Sequence, residues 1–435
     1  MRDLETIGRV LTVLCLLAVV GSAQIPHDDP VEAQKKWYDR AFERPDLIEG
    51  AFEVLRFPTG YEFASRYKHD KKNRKRILNP DFWCTTCARE KRIPKDPKRV
   101  GKRLMEREES DVLQWIKAET KSSRFTYIED EQFKLFMDLR GVNLKEFRNP
   151  FLKEEMRELG DIFPKVTEKT VAVNGHQRTH LYLIRAHRLL RDFHWMTGID
   201  AAGIREKYHW LGPYLGMKNK LEVYIFNRQR PYLRFATRYI GRSSKAGQCW
   251  HMFRDRCMIM AMHGQNAVDP QVANFAMHRI THNLFDAFRM YSFKLPAWFQ
   301  MGMGHWIERR ESVRYNSFCF SEGVIPKVLF ETRWEPKVKK MIAKDRADPF
   351  VSVCSKKEYG EFPPKYHMIT FSWVCYLWRL GPEKMPVFIN ALKDKKETET
   401  LYQAQVRAFR KAYNINLIQF DHGWREWVKK VYPDM

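Results

Sequence analysis

The sequence predicts an α+β protein, mostly helical, in which a small sheet precedes a helix carrying two histidines and further helices close the chain. Three observations carry this. Leu221 to Phe226 (LEVYIF) and Cys257 to His263 (CMIMAMH) are apolar runs of strand length. Segments with apolar residues at helical spacing flank them. His278 and His282 stand four residues apart inside one such segment, which sets both imidazoles on one helix face, about 6 Å apart.

Taken in order, the chain opens with a leader. Arg2 and Arg9 flank its start, Val10 to Val20 is apolar, and Gly21-Ser22-Ala23 offers a cleavage site, although Asp3 and Glu5 are atypical there. The expectation is a signal peptide over 1–23 and an exported protein, periplasmic, in the cell envelope or secreted. An uncleaved anchor is the alternative, and no later stretch has the length and apolarity of a membrane span.

Residues 24–165 read as a separate basic region, mostly helical, with helical patterns over Arg107 to Lys121 and Asp130 to Leu159. Basic runs at Lys68 to Arg76 and Arg89 to Arg103 read as solvated loops ahead of an anion-binding patch. Between them lies Cys84-Thr85-Thr86-Cys87. A CxxC is half of a zinc ribbon or a redox pair. A second CxxC is absent from the chain, so a structural disulfide is the expectation. Seven of the eight cysteines remain once Cys15 leaves, an odd number.

Residues 166–310 form the expected α+β core. Thr170 to Val173 is a short strand with Asn174-Gly175 as a turn, and Arg178 to Thr197 an amphipathic helix stopped by Gly198. Arg230 to Tyr239 is a helix between the two apolar strands. Met258, Met260 and Met262 share a strand face and are expected to pack. Pro270 suits the first turn of the paired-histidine helix, expected from Asn274 to Phe288. Residues 311–435 form a helical subdomain: irregular from Tyr315 to Pro364, then helices over Tyr366 to Leu380, Met385 to Leu392, Leu401 to Tyr413, and Phe420 to Val431 with Asp421 as its cap.

The stretch from 274 to 308 resembles the active-site region of the gluzincin-type, or peptidase MA-like, metallopeptidases. Their pattern is H-E-x-T-H, then about fifteen residues, then W-x-x-E-G-x-A-E-Y-x-E. His278, Thr281 and His282 match it, and Trp298, Gly302, Trp306 and Glu308 fall in register. Trp424 and Trp427 resemble the family's closing W-x-x-[WY]. The resemblance covers about residues 165 to 432 and implies a zincin-like core: a small mixed sheet beside the HxxxH helix, the strand Cys257 to His263 at its edge along the cleft, and a helical tail. It also implies that His278 and His282 are metal ligands, for zinc.

Two positions depart from the pattern. Arg279 stands where the family has its general-base glutamate, and a guanidinium cannot accept a proton at physiological pH. Met301 stands where the family has its third ligand, and a thioether is a poor donor to zinc. The reading is therefore a degenerate, non-catalytic relative with a vestigial His278/His282 site, no catalytic residue, and no cofactor unless the site retains zinc. Arg279 would fill the metal position, paired to Glu308 or Asp286. One alternative is a metal-dependent peptidase with substituted ligands, His305 supplying a third nitrogen. Another is a copper protein using His278, His282 and Met301, with Met303 nearby.

Composition limits the partners. With 44% hydrophobic and 14% aromatic residues the chain is globular, and its formal charge of +24 attracts polyanions. No nucleic-acid motif accompanies that charge, which leaves a peptide, a protein or an acidic polysaccharide as partner.

Overall fold

The computed structural model describes residues 67–78, 80–95, 111–120, 125–144, 151–208, 210–241, 245–252, 257–289, 295–319, 322 and 331–434. The expected leader at 1–23 lies outside the described residues. Among them, no helix is long and apolar enough to cross a membrane.

Strands β1 (Lys68–His69) and β2 (Ile77–Leu78) pair antiparallel around the first basic run. Strand β3 (Phe82–Cys84) feeds helix α1 (Thr85–Arg89), and helix α2 (Asp111–Thr120), β4 (Thr126–Asp130), β5 (Phe133–Met137) and β6 (Val142–Asn143) follow. Helix α3 (Leu152–Ile162) leads to β7 (Ala172–Val173), which pairs with β6, and then to α4 (Gly175–Thr197) and α5 (Ala201–Lys207). Next come β8 (Leu221–Phe226), α6 (Gln229–Phe235) with a π-helical turn after it, β9 (Gln248–Met252) and β10 (Cys257–His263). The paired-histidine helix is α7 (Asp269–Ala287), followed by α8 (Ala297–Glu311). The tail comprises α9 (Trp334–Ala343), α10 (Phe350–Val353), α11 (Lys365–Leu380), α12 (Met385–Lys393), α13 (Leu401–Tyr413) and α14 (Leu417–Val431).

The molecule is α+β, with a six-stranded mixed sheet in the order β3-β4-β5-β8-β10-β9. The middle strands β5, β8 and β10 run parallel, while β3, β4 and β9 join antiparallel. Strand alternation divides its faces. Leu135, Val223 and Ile225 meet Tyr182 and Ala186 of α4 and Ile280 of α7. On the other face, Phe136, Tyr224 and Phe226 pack with Phe235 of α6, ring centroids 4.7 Å apart for Tyr224 and 5.4 Å for Phe226. The histidine helix thus lies on the sheet, held by burial on its apolar side.

Four expectations change. Cys257–His263 is not the edge strand, because β9 covers it. The sequence of β9, QCWHM, has no apolar alternation to announce it, since an edge strand is held largely through its backbone. The described part of 24–165 is not mostly helical: β3, β4 and β5 belong to the same sheet as β8 and β10. Phe133–Met137 is almost wholly buried, so FKLFM lacks the one-sided pattern that marks a strand. Asn174 is the N-cap of α4, with a reciprocal bond to Gln177, and Gly198 ends that helix at φ +68°. Asn416 caps α14, while Asp421 pairs with Arg425 inside it.

Candidate metal centre

Helix α7 presents its two imidazoles away from the sheet, toward α8 and the segment that follows α8. His278 Nε2 and His282 Nε2 are 3.1 Å apart. Glu322 closes on both: one carboxylate oxygen is 3.1 Å from His278 Nε2 and the other 3.3 Å from His282 Nε2. Cys319 Sγ lies within 4.8 Å of all three donors. Bond lengths of zinc to nitrogen or oxygen imply tetrahedral edges of about 3.3 Å, which these separations match. All four residues are buried. The chain therefore has a His/Cys/Glu group that could hold a metal ion.

The outer contacts leave both Nε2 atoms available. His278 Nδ1 lies 3.0 Å from Glu308 Oε2, and His282 Nδ1 lies 3.3 Å from the Tyr359 hydroxyl, which itself donates to Gln300 Oε1. Gln300 is anchored in turn, its Nε2 donating to Asp286 Oδ1 at 2.7 Å. With Glu308 and Tyr359 beside the Nδ1 atoms, the two Nε2 atoms face inward, the arrangement that supports metal-bound histidines. Gly304 of α8 completes the fit, since a Cβ there would come within 2.9 Å of His278 Cε1 and His282 Nε2.

The segment supplying Cys319 and Glu322 is stapled over α7. Asn274 Nδ2 donates to the carbonyls of Ser312 and Tyr315 at 2.6 and 2.7 Å. The Ser317 N–H donates to Glu308 Oε2 at 2.8 Å. Arg279 donates to Phe275 O, Ser317 Oγ and Phe318 O at 2.8, 2.9 and 2.9 Å. The Cys319 N–H donates to Glu322 Oε2 at 2.6 Å.

Electrostatics in this buried cluster favours positive charge. Burial lowers the pKa of His278, but the Glu322 and Glu308 carboxylates outweigh it and raise it well above the ordinary value. Burial likewise opposes His282, which Cys319 and Glu322 raise. Burial pushes Glu322 up, yet the two histidines hold it well below the carboxylate range. The same negative potential that keeps a proton on an imidazole would hold a metal cation in its place.

The sequence named His278 and His282, and the structure brings them together with partners it did not name. The carboxylate comes from Glu322, not from position 301, and Met301 is buried in the core. Arg279 pairs with neither Glu308 nor Asp286 but braces the segment over the site. His305 is outside the His/Cys/Glu group but forms a second set of donors with His278 and Glu308, all within 4.8 Å of one another; its Nδ1 meets Glu308 at 2.6 Å and its Nε2 meets His367 at 2.8 Å. Met258, Met260 and Met262 are buried, and Met258 lines a small cavity with Leu284 and Ala287. The missed signal was Cys319-x-x-Glu322, hidden in a segment without helical or strand periodicity. The disulfide expected at Cys84 and Cys87 is absent as well; all seven cysteines among the described residues are free thiols.

No protein-family model matches the chain, and no curated protein matches it.

Proposed function

We propose that this is a metallopeptidase-like protein that keeps a metal centre and has lost hydrolysis, serving as an exported binding or structural module. The observation that carries this reading is the convergence of Glu322 and Cys319 on the two Nε2 atoms, beside an arginine at the position of the general base. Four protein donors make a closed site, whereas catalytic zinc keeps one position for water. Two anionic donors, a carboxylate and a thiolate, balance a divalent charge, and His₂CysGlu suits zinc. Zinc here would hold α7 to the segment after α8. The charge of +24 favours an acidic peptide, protein or polysaccharide as partner.

Elemental analysis with a peptide-library digestion tests this. The expected result is zinc lost from His278→Ala/His282→Ala and no cleavage by the wild-type protein. Cleavage that disappears in His278→Ala would overturn the non-catalytic reading, and zinc content unchanged by the double substitution would overturn the centre.

One observation favours a second reading. Cys319 Sγ is 3.7 Å from Cys249 Sγ. Oxidised glutathione could take the two electrons and two protons of these thiols and join them, leaving His278, His282 and Glu322 with an open fourth position. Digestion by oxidised but not reduced protein would favour it.

A further inference from the structure

A second group of donors lies where the β3–α1 turn meets the start of helix α4. Cys84 ends β3 and caps α1, Cys87 sits in α1, and His176 and His180 occupy the first two turns of α4. Cys84 Sγ is 3.4 Å from His176 Nε2, while Cys87 Sγ is 3.2 Å from His176 Nε2 and 3.5 Å from His180 Nε2. Zinc bonds of about 2.3 Å to sulfur and about 2.0–2.1 Å to nitrogen give sulfur–nitrogen edges of about 3.6 Å in a tetrahedron. Three sulfur–nitrogen edges are already at 3.2–3.5 Å, and all four donor atoms lie within 4.8 Å of one another. We infer that Cys84, Cys87, His176 and His180 hold a structural zinc ion that clasps the β3–α1 turn to the start of α4.

The surroundings agree with that occupant. Both thiols and His180 are fully buried, and no carboxylate belongs to the donor group. Two thiolates and two neutral imidazoles cancel the charge of a divalent ion, so the filled site carries no net charge into the interior. The Cys87 N–H donates to Cys84 Sγ at 3.4 Å, which stabilises a thiolate. Glu90 stands 3.6 Å from His176 Nδ1, on the side that leaves Nε2 for the metal. Phe82 meets His180, and Phe163 meets both imidazoles, at centroid distances of 4.9–5.2 Å. That aromatic wall keeps water from the sulfurs. All four positions are taken by protein, which marks a structural rather than a catalytic site.

The spacing C-x₂-C with H-x₃-H is that of Cys₂His₂ sites. Here the halves are 92 residues apart, from Cys84 to His176. The ion would close that long loop and fix β3, one of the two outer strands of the sheet, to α4. A disulfide between Cys84 and Cys87 would close only a four-residue loop and leave two imidazoles facing it without purpose.

The experiment measures zinc in the full chain by elemental analysis beside three variants. Cys84→Ser/Cys87→Ser is expected to lose one equivalent per chain, and His278→Ala/His282→Ala to keep that equivalent. Combining the four substitutions removes both. Wild-type protein supplies the check that needs no variant to fold: iodoacetamide should leave Cys84 and Cys87 unlabelled until a chelator is added, with mass spectrometry locating the label. A Cys84–Cys87 disulfide in the purified protein would overturn the assignment. So would labelling of both thiols without chelator, or unchanged zinc in the serine variant.

Discussion

A guanidinium beside the first histidine is the residue on which the reading of the metal centre turns. Arg279 cannot accept a proton, and it does not act as a substitute cation either. It reaches sideways to Ser317 and Phe318, two residues before Cys319. Its function is to hold the segment that carries the third and fourth donors. Hydrogen bonds from a charged donor are worth about 1.5–3 kcal/mol each, and losing this one strands the Phe318 carbonyl. Arg279→Met should therefore lower unfolding free energy by about 2–3 kcal/mol. Zinc affinity should weaken with it, in competition with a chromophoric chelator. Equal stability and equal affinity in the variant would show that the brace is idle.

At the scale of elements, the centre depends on how closely α8 approaches α7 and α11. Two glycines allow it, and they can be separated experimentally. A Cβ at Gly302 would stand 2.5 Å from Thr370 O and 2.8 Å from Val374 Cγ2, pushing α8 off α11. A Cβ at Gly304 would stand 2.9 Å from both histidines. Each alanine should cost about 1–3 kcal/mol through overpacking. Only Gly304→Ala should also reduce bound zinc, because its methyl enters the space of the ligands. Folded Gly304→Ala with full zinc, or equal zinc loss in Gly302→Ala, would refute the assignment of the ligand space. Gly302 was legible in the sequence as part of a motif, and α7 and α11 to α14 were legible from apolar spacing. Glu322 was not, because a ligand on an irregular segment has no period. The zinc clasp escaped for a related reason: Cys84-x₂-Cys87 was visible, but His176 fell just before the expected helix start at Arg178 and His180 just inside it, so the two did not read as a pair on one helix face. The strands β3 to β5 were missed because they are buried nearly throughout and carry no alternation.

For the whole molecule, the pH dependence of stability should reveal a buried lysine that neither centre uses. Lys393 on α12 is fully buried, and its Nζ has no hydrogen-bond partner among the described residues. Burial lowers its pKa to about 7, with Arg289 adding to the effect and Asp286 opposing it. An unfolded lysine titrates near 10.4. Between about pH 7 and pH 10 the unfolded chain therefore binds one more proton here than the folded chain. Stability contributed by this group should rise with pH across that window, by about 1.4 kcal/mol per unit, and be flat below it. Lys393→Met removes the buried charge while keeping the stem's volume. At pH 6 it should stabilise the protein by about 1–4 kcal/mol, the range found when buried charges give way to apolar packing. The difference between variant and wild type should then shrink as pH rises toward 10. Urea unfolding of both proteins at pH 6, 8 and 9.5 measures it. A constant difference across the three would mean that Lys393 keeps its proton in the fold, held by Asp286 against the cost of burial.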